Sequence, residues 1–82
     1  MKDSTKAAID LFVKTGARPG SFVMAALAND FIGAVCLADA ENLKDLPVIA
    51  RYIHNRIPGD CHGTLPKVLQ WIEKKQKERS TG

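Results

Sequence analysis

Turn signals cut this chain into short pieces, and within each piece the apolar residues follow helical spacing. Gly16 closes the first piece, Pro19 and Gly20 precede the second, and Asn29, Asp30 and Gly33 interrupt it. Ala38-Asp39-Ala40-Glu41-Asn42 is a further weak point, and Ile57-Pro58-Gly59-Asp60 is a stop signal. No alternating strand pattern, internal repeat or low-complexity tract is present. With 82 residues, one thin core is all the chain can build. The expectation is all-α: a compact bundle of four or five short helices. It forms one domain over 1–82, ordered over about 4–79, with a frayed tail at 80–82.

The stripes follow the i, i+3, i+4 rule. Ile9, Phe12 and Val13 mark the first helix, capped by Asp3 or Ser4. Phe22, Val23, Ala26 and Leu27 mark the second region, with Ser21 as its candidate cap. Phe31, Ala34, Val35 and Leu37 continue it, so the region is one bent helix or two short ones. A third helix covers roughly Leu43 to Arg56, with Ile49, Tyr52, Ile53 and Ile57 inward. Pro47 there fits only the first turn or a kink, and Asp45 is a candidate cap for a later start. Thr64 caps the last helix, Pro66 suits its first turn, and Leu65, Val68, Leu69 and Ile72 form its stripe beside Trp71.

Charge narrows the partners. The net charge is +3, yet residues 1–66 carry seven basic and seven acidic groups. The excess lies in Lys67, Lys74, Lys75, Lys77 and Arg79 against Glu73 and Glu78, where cations complement a helix C-terminus. Nucleic acid is therefore not the expected partner. The most apolar stretch, Phe22 to Ala38, holds Asn29 and Asp30 at its middle, and a central Asp costs about 2.5–3.5 kcal/mol in a membrane. It reads as buried helix in a soluble, cytoplasmic protein, with no secretory signal and no membrane span. Cys36 and Cys61 read as free thiols, Cys36 as a small core hydrophobe.

Two loops run into helix starts, where unpaired amides and the dipole favour anions. The first is Gly16-Ala17-Arg18-Pro19-Gly20-Ser21-Phe22, in which Arg18 adds a bidentate fork and Ser21 a hydroxyl. The second is Pro58-Gly59-Asp60-Cys61-His62-Gly63-Thr64, with His62 and Thr64 at its rim. Plain capped turns are the alternative for both. His54, Cys61 and His62 lack the paired spacing of a zinc site, so no metal is expected. Cys61 and His62 are adjacent and make a poor nucleophile pair, and no carboxylates pair as acid and base. Asn29-Asp30 and Asp39-x2-Asn42 read as caps or helix bridges; the sharper alternative has Asn29 or Asn42 reading a ligand edge. Ala25, Ala26, Ala28, Gly33 and Ala34 allow close helix approach, and oligomerisation would bury more surface. Tyr52, His54 and Trp71 can stack on a base or serve as ordinary helix-face and core side chains.

Several motifs occur in order: Gly16-x2-Pro19-Gly20-Ser21-Phe22, Leu27-Ala28-Asn29-Asp30, Ala38-Asp39-x2-Asn42, Tyr52-Ile53-His54-Asn55-x2-Pro58, and Cys61-x-Gly63-Thr64 with Val68-x2-Trp71-Ile72. Over about residues 7–73 the chain resembles a widespread family of very short phage and prophage proteins. That family is marked by a G-x-P-x-G-F turn, an L-x-N-D helix, an A-D-x-x-N step, a Y-N-x-x-P helix end and a G-S-x-x-x-V-x-x-W-L helix. This chain departs from the pattern at Gly20-Ser21-Phe22, where one residue separates Gly from Phe, and at Pro47. Most of that family lacks an assigned activity, and the family is similar to proteins proposed as phage sponges for cyclic nucleotide immune signals.

The expectation is then a non-enzymatic homo-oligomer without cofactor, in the cytoplasm of an infected bacterium. It sequesters a cyclic nucleotide or other phosphorylated small molecule. Arg18, Gly20, Ser21 and Phe22 would form one phosphate-facing loop, His62 and Thr64 would donate from the other, Tyr52 would stack, and Asn55 would position the base. One rival is a protein-interaction module inhibiting a host protein through an apolar and aromatic surface that includes Trp71. Another is a DNA-binding accessory acting through the basic last helix.

Overall fold

The first helix stops at a glycine because nothing else fits there. In the computed structural model, which describes residues 1–81 and side chains as far as Arg79, α1 spans Asp3–Thr15. Gly16 follows at φ +74°, and its N–H donates to the Phe12 carbonyl, the left-handed end that glycine tolerates best. A Cβ on Gly16 would stand 2.5 Å from the Lys75 Cβ and 3.1 Å from the Ile72 carbonyl oxygen. Gly16 therefore also sets how closely α1 approaches the last helix.

The remaining α-helices are α2 (Ser21–Leu27), α3 (Phe31–Leu37), α4 (Ala40–Lys44), α5 (Leu46–Arg56) and α6 (Leu65–Thr81), with a 3₁₀ turn at Gly59–Cys61. Among the described residues there is no strand. The all-helical reading holds, but the described residues form six α-helices, not four or five. Both breaks are local: the first realises the two-short-helices alternative for 21–37, and only the second, which sets off α4, goes beyond the expected number. Asn29 adopts φ +61° and splits 21–37 in two. Asp39, which the sequence reading left outside the third helix, caps a separate short α4 by accepting from the Asn42 N–H at 2.8 Å. The expected frayed tail at 80–82 lies outside the described side chains.

α6 lies along α1 and α2, α2 pairs with α3, and α5 packs on α2 and α4. The core is Ile9, Phe12, Val23, Leu27, Ile49, Ile53, Ile57, Cys61, Val68 and Ile72, which takes the inner stripe from every helix except α3 and α4. Three polar ties fix the layout across long stretches of sequence. The Trp71 Nε1–H donates to the Val13 carbonyl at 3.2 Å. The Gly63 N–H donates to the Leu27 carbonyl at 2.7 Å. The Thr5 hydroxyl donates to Asn42 Oδ1 at 2.8 Å inside the protein, so Asn42 bridges α1 and α4 as the plain reading had it.

Pro47 sits in the first turn of α5, where its missing N–H costs nothing. Thr64 Oγ1 accepts from the Lys67 N–H at 3.3 Å and caps α6 as expected. Other caps moved. Lys2 and Gly20 hold the cap positions of α1 and α2 without a side-chain bond, so neither Asp3, Ser4 nor Ser21 caps. Asp45 occupies the cap position of α5, also without a side-chain cap bond.

Two burial expectations are overturned. The stretch Phe22 to Ala38 is not buried throughout: in α3 only Ala34 is buried, while Phe31, Ile32 and Leu37 are 71%, 74% and 53% exposed. Cys36 is exposed on the same helix, and the core cysteine is Cys61. The Cys61 thiol donates to the Pro58 carbonyl at 3.1 Å, and burial pushes its pKa up. The reason is geometric. α2 is short and already meets α1, α5 and α6, so α3 finds cover on one side only.

Candidate functional site

The turn between α2 and α3 is built by Asn29 and Asp30. Asn29 takes the left-handed position after α2, its N–H donating to the Ala26 carbonyl at 3.2 Å, while the Asp30 N–H reaches back to the Ala25 carbonyl at 2.9 Å. This is a Schellman end with Asn in the usual glycine place. Asp30 Oδ1 then accepts from the Gly33 N–H at 2.9 Å and caps α3. A Cβ on Gly33 would lie 2.3 Å from Asp30 Oδ2, so glycine at 33 makes room for the cap. The Leu27-x-Asn29-Asp30 motif is thus a corner between two helices.

Two hollows flank that corner. The first, of about 330 Å³, lies between α3 and α5. Leu27, Ala34, Ile49 and Ile53 contribute apolar lining; Phe31 is another wall, and Asn29, Asp30, His54 and His62 supply polar groups. The second, of about 410 Å³, is lined by Arg18, Pro19 and Ser21 together with Met24, Leu37 and Leu65, and again by Asp30. Volumes of this size suit a small ligand or an inserted side chain.

The eight expected ligand residues divide among these places. Arg18 and Ser21 share the second hollow, and His62 lines the first. Phe22 is half-buried and packs against the core. Gly20 occupies the cap position of α2, and Thr64 is engaged as the cap of α6. Asn55 is exposed and lines neither hollow. Tyr52 also lines neither: its hydroxyl donates to the Asp10 carboxylate, and Lys6 Nζ lies 5.5 Å from its ring centroid. The two loops flank opposite ends of α2 and open into separate hollows.

Lys6 also meets Asp10 at 2.8 Å. The Lys6 contact first, and the Tyr52 hydroxyl second, hold the Asp10 carboxyl below its ordinary value. Asp10 in turn raises both Lys6 and Tyr52. Lys2 pairs with Asp39 at 2.5 Å and, together with the Asn42 N–H, lowers the Asp39 carboxyl. These pairs lie at the surface and hold α5 and α4 against α1. Trp71 is half-buried, with Lys74 and Lys75 Nζ 5.3 and 4.9 Å from its ring centroid. That arrangement covers the indole and engages two of the basic groups of α6.

Sequence reasoning did not single out Phe31 as a site residue, and it weighed His54 only for zinc and stacking. The signal for Phe31 was present: residues 31–37 carry no charge on any side of the helix, and such a helix is normally covered all round. Among the described residues no group of three His, Cys, Asp or Glu is placed to hold a metal, and no helix is long and apolar enough to cross a membrane. Compared with known proteins, the chain matches no family model, no curated sequence and no solved structure.

Proposed function

We propose that this protein acts by binding a partner through the surface of α3 and the hollow beside it, without catalysis. The exposure of Phe31 and Ile32, at 71% and 74%, carries this reading. Leaving one such side chain in water forgoes about 1.5–3 kcal/mol of burial, and a small domain has little stability to spare. The adjoining hollow offers apolar walls with polar groups among them, the composition of a recognition surface. The resemblance to short phage proteins supports an infected bacterial cell as the setting. The test is a photo-crosslinking residue at position 32 in cells making the protein, with position 70 on α6 as control. An adduct at 32 and none at 70 supports the reading; no adduct at 32 defeats it.

A second reading keeps the phosphorylated small molecule, such as a cyclic nucleotide, as ligand. The shared hollow of Arg18 and Ser21 favours it, because a guanidinium fork and a hydroxyl suit a phosphate. Asp30 on the same hollow opposes an anion. Calorimetry with cyclic di- and trinucleotides tests it: heat that disappears with Arg18→Ala supports it, and no heat with any of them removes it.

A further inference from the structure

We infer that the hollow between α3 and α5 is a binding site for a small apolar molecule that carries a protonated amine. The inference rests on the reading of that hollow as a binding site, given above, and names the chemistry it accepts.

Size and floor set the body of the ligand. The hollow measures about 330 Å³, at the small end of the ~300–1,000 Å³ typical of ligand sites. Leu46 and His54 both line it and stand two turns and more apart on α5, so it runs along roughly 12 Å of that helix. Its floor is Leu27, Ile49 and Ile53, all buried core residues, while Phe31 forms a wall with 71% of its surface exposed. An apolar ring lying there covers the floor and the Phe31 ring together.

One main-chain bond gathers the polar groups. The Gly63 N–H donates to the Leu27 carbonyl at 2.7 Å, which brings His62 beside the corner that holds Asn29 and Asp30. Among the described residues the side chains of Asn29, His54 and His62 have no hydrogen-bond or ionic partner. All three line the hollow with their polar atoms open to a ligand.

Charge decides what the ligand carries. No lysine or arginine lines this hollow, and Asp30 is its only carboxylate. Asp10, Asp39 and Asp45 each meet a cation. Asp30 meets none among the described residues, not even Arg18, with which it shares the other hollow. Its one bond comes from the Gly33 N–H. A carboxylate keeps acceptor capacity beyond one such bond, and an anion brought beside it would meet a like charge with no neutralising partner. The complement is a compact cation at the corner whose body fills the apolar floor.

The test is a titration of the whole isotope-labelled protein, followed by its amide NMR shifts, with tryptamine, tryptophol and indolepropionate. These share one ring and a two-carbon chain and end in an ammonium, a hydroxyl and a carboxylate. At about pH 8 an ordinary imidazole is neutral and a primary amine charged, so Asp30 is the charge being read. Tryptamine is expected to shift the amides of Ala34, Ala50 and Gly63 with a dissociation constant of ~1 mM or tighter. Tryptophol should bind ~3-fold and indolepropionate ~10-fold more weakly. Asp30→Asn keeps a side chain able to cap α3 and should bring the three ligands within ~2-fold of one another, with circular dichroism verifying wild-type helix content. Absence of tryptamine shifts in the lining overturns the inference, as does indolepropionate binding as well as tryptamine, or a preference for the amine that survives Asp30→Asn. The crosslink at position 32 separates this failure from that of the α3 surface. An adduct without tryptamine shifts keeps the surface and removes the amine; tryptamine shifts without an adduct keep the amine and remove the surface partner; neither result removes both.

Discussion

Replacing Gly16 by alanine should cost this protein a large part of its stability, although it adds a single methyl group. At φ +74° the new residue sits in the left-handed region, at about 1–2 kcal/mol. Its Cβ would also lie 2.5 Å from the Lys75 Cβ and 3.1 Å from the Ile72 carbonyl oxygen. Neither atom is the far end of a flexible side chain, so α6 must back away from α1. That strains the Trp71 to Val13 hydrogen bond and the core shared by Phe12 and Ile72, and overpacking of this kind costs about 1–3 kcal/mol. The sum is ~2–5 kcal/mol, set against a total of ~4–12 kcal/mol for a chain of this length. At 4–8 °C per kcal/mol, the melting temperature should fall by at least ~8 °C. Gly59→Ala is the control, because a Cβ there meets nothing within 4 Å and its backbone is outside the left-handed region. The same exchange should there be neutral or stabilising by up to about 1 kcal/mol. Thermal unfolding followed by circular dichroism reads both variants. A Gly16→Ala protein melting within ~4 °C of wild type, a change of no more than about 1 kcal/mol, refutes the close-approach argument.

Gly33→Ala should push the Asp30 carboxylate off the α3 cap and cost about 1 kcal/mol, as should Asp30→Ala, while the double variant loses little more than either alone; full additivity in urea unfolding would show that the two do not act together. Asp10 and Asp39 titrate below their ordinary value in the folded protein, so their contribution is present above about pH 3.9 and is lost as pH falls through the lower native values. The urea midpoint should decline on that acid side, and less steeply in Asp10→Asn; an identical acid limb would show that the Lys6–Asp10–Tyr52 contacts do not form. Tyr52 is raised by the same carboxylate, so its contribution is full below about pH 10 and disappears as pH rises through the native value; Tyr52→Phe should flatten the alkaline limb. In dilute native protein a thiol reagent should modify Cys36 quickly and reach Cys61 only on unfolding, because Cys36 is exposed and Cys61 is buried with its pKa raised; two equally fast thiols would contradict that placement.

What the sequence determined by itself was what neighbouring residues decide among themselves. Gly16 ends α1, Thr64 caps α6 and Pro47 opens α5 because each effect is settled within one turn of helix. The stripes Ile9/Phe12, Ile49/Ile53 and Val68/Ile72 turned inward because helical period alone brings each pair onto one face. Asn29-Asp30 and Asp39-x2-Asn42 were legible as caps or bridges for the same reason. Tertiary structure alone decided which faces found cover. The uncharged α3 looked like core, yet α1, α5 and α6 had already met α2 and left α3 with one covered side, which moved Cys36 to the surface and Cys61 to the centre. Tyr52 was drawn to Asp10 and Trp71 to Val13, partners 42 and 58 residues away in the chain. Arg18 and His62, expected on one site, came to separate hollows because α2 lies between their loops. Such outcomes depend on which surfaces remain once every helix has packed, and no short window of sequence contains that information.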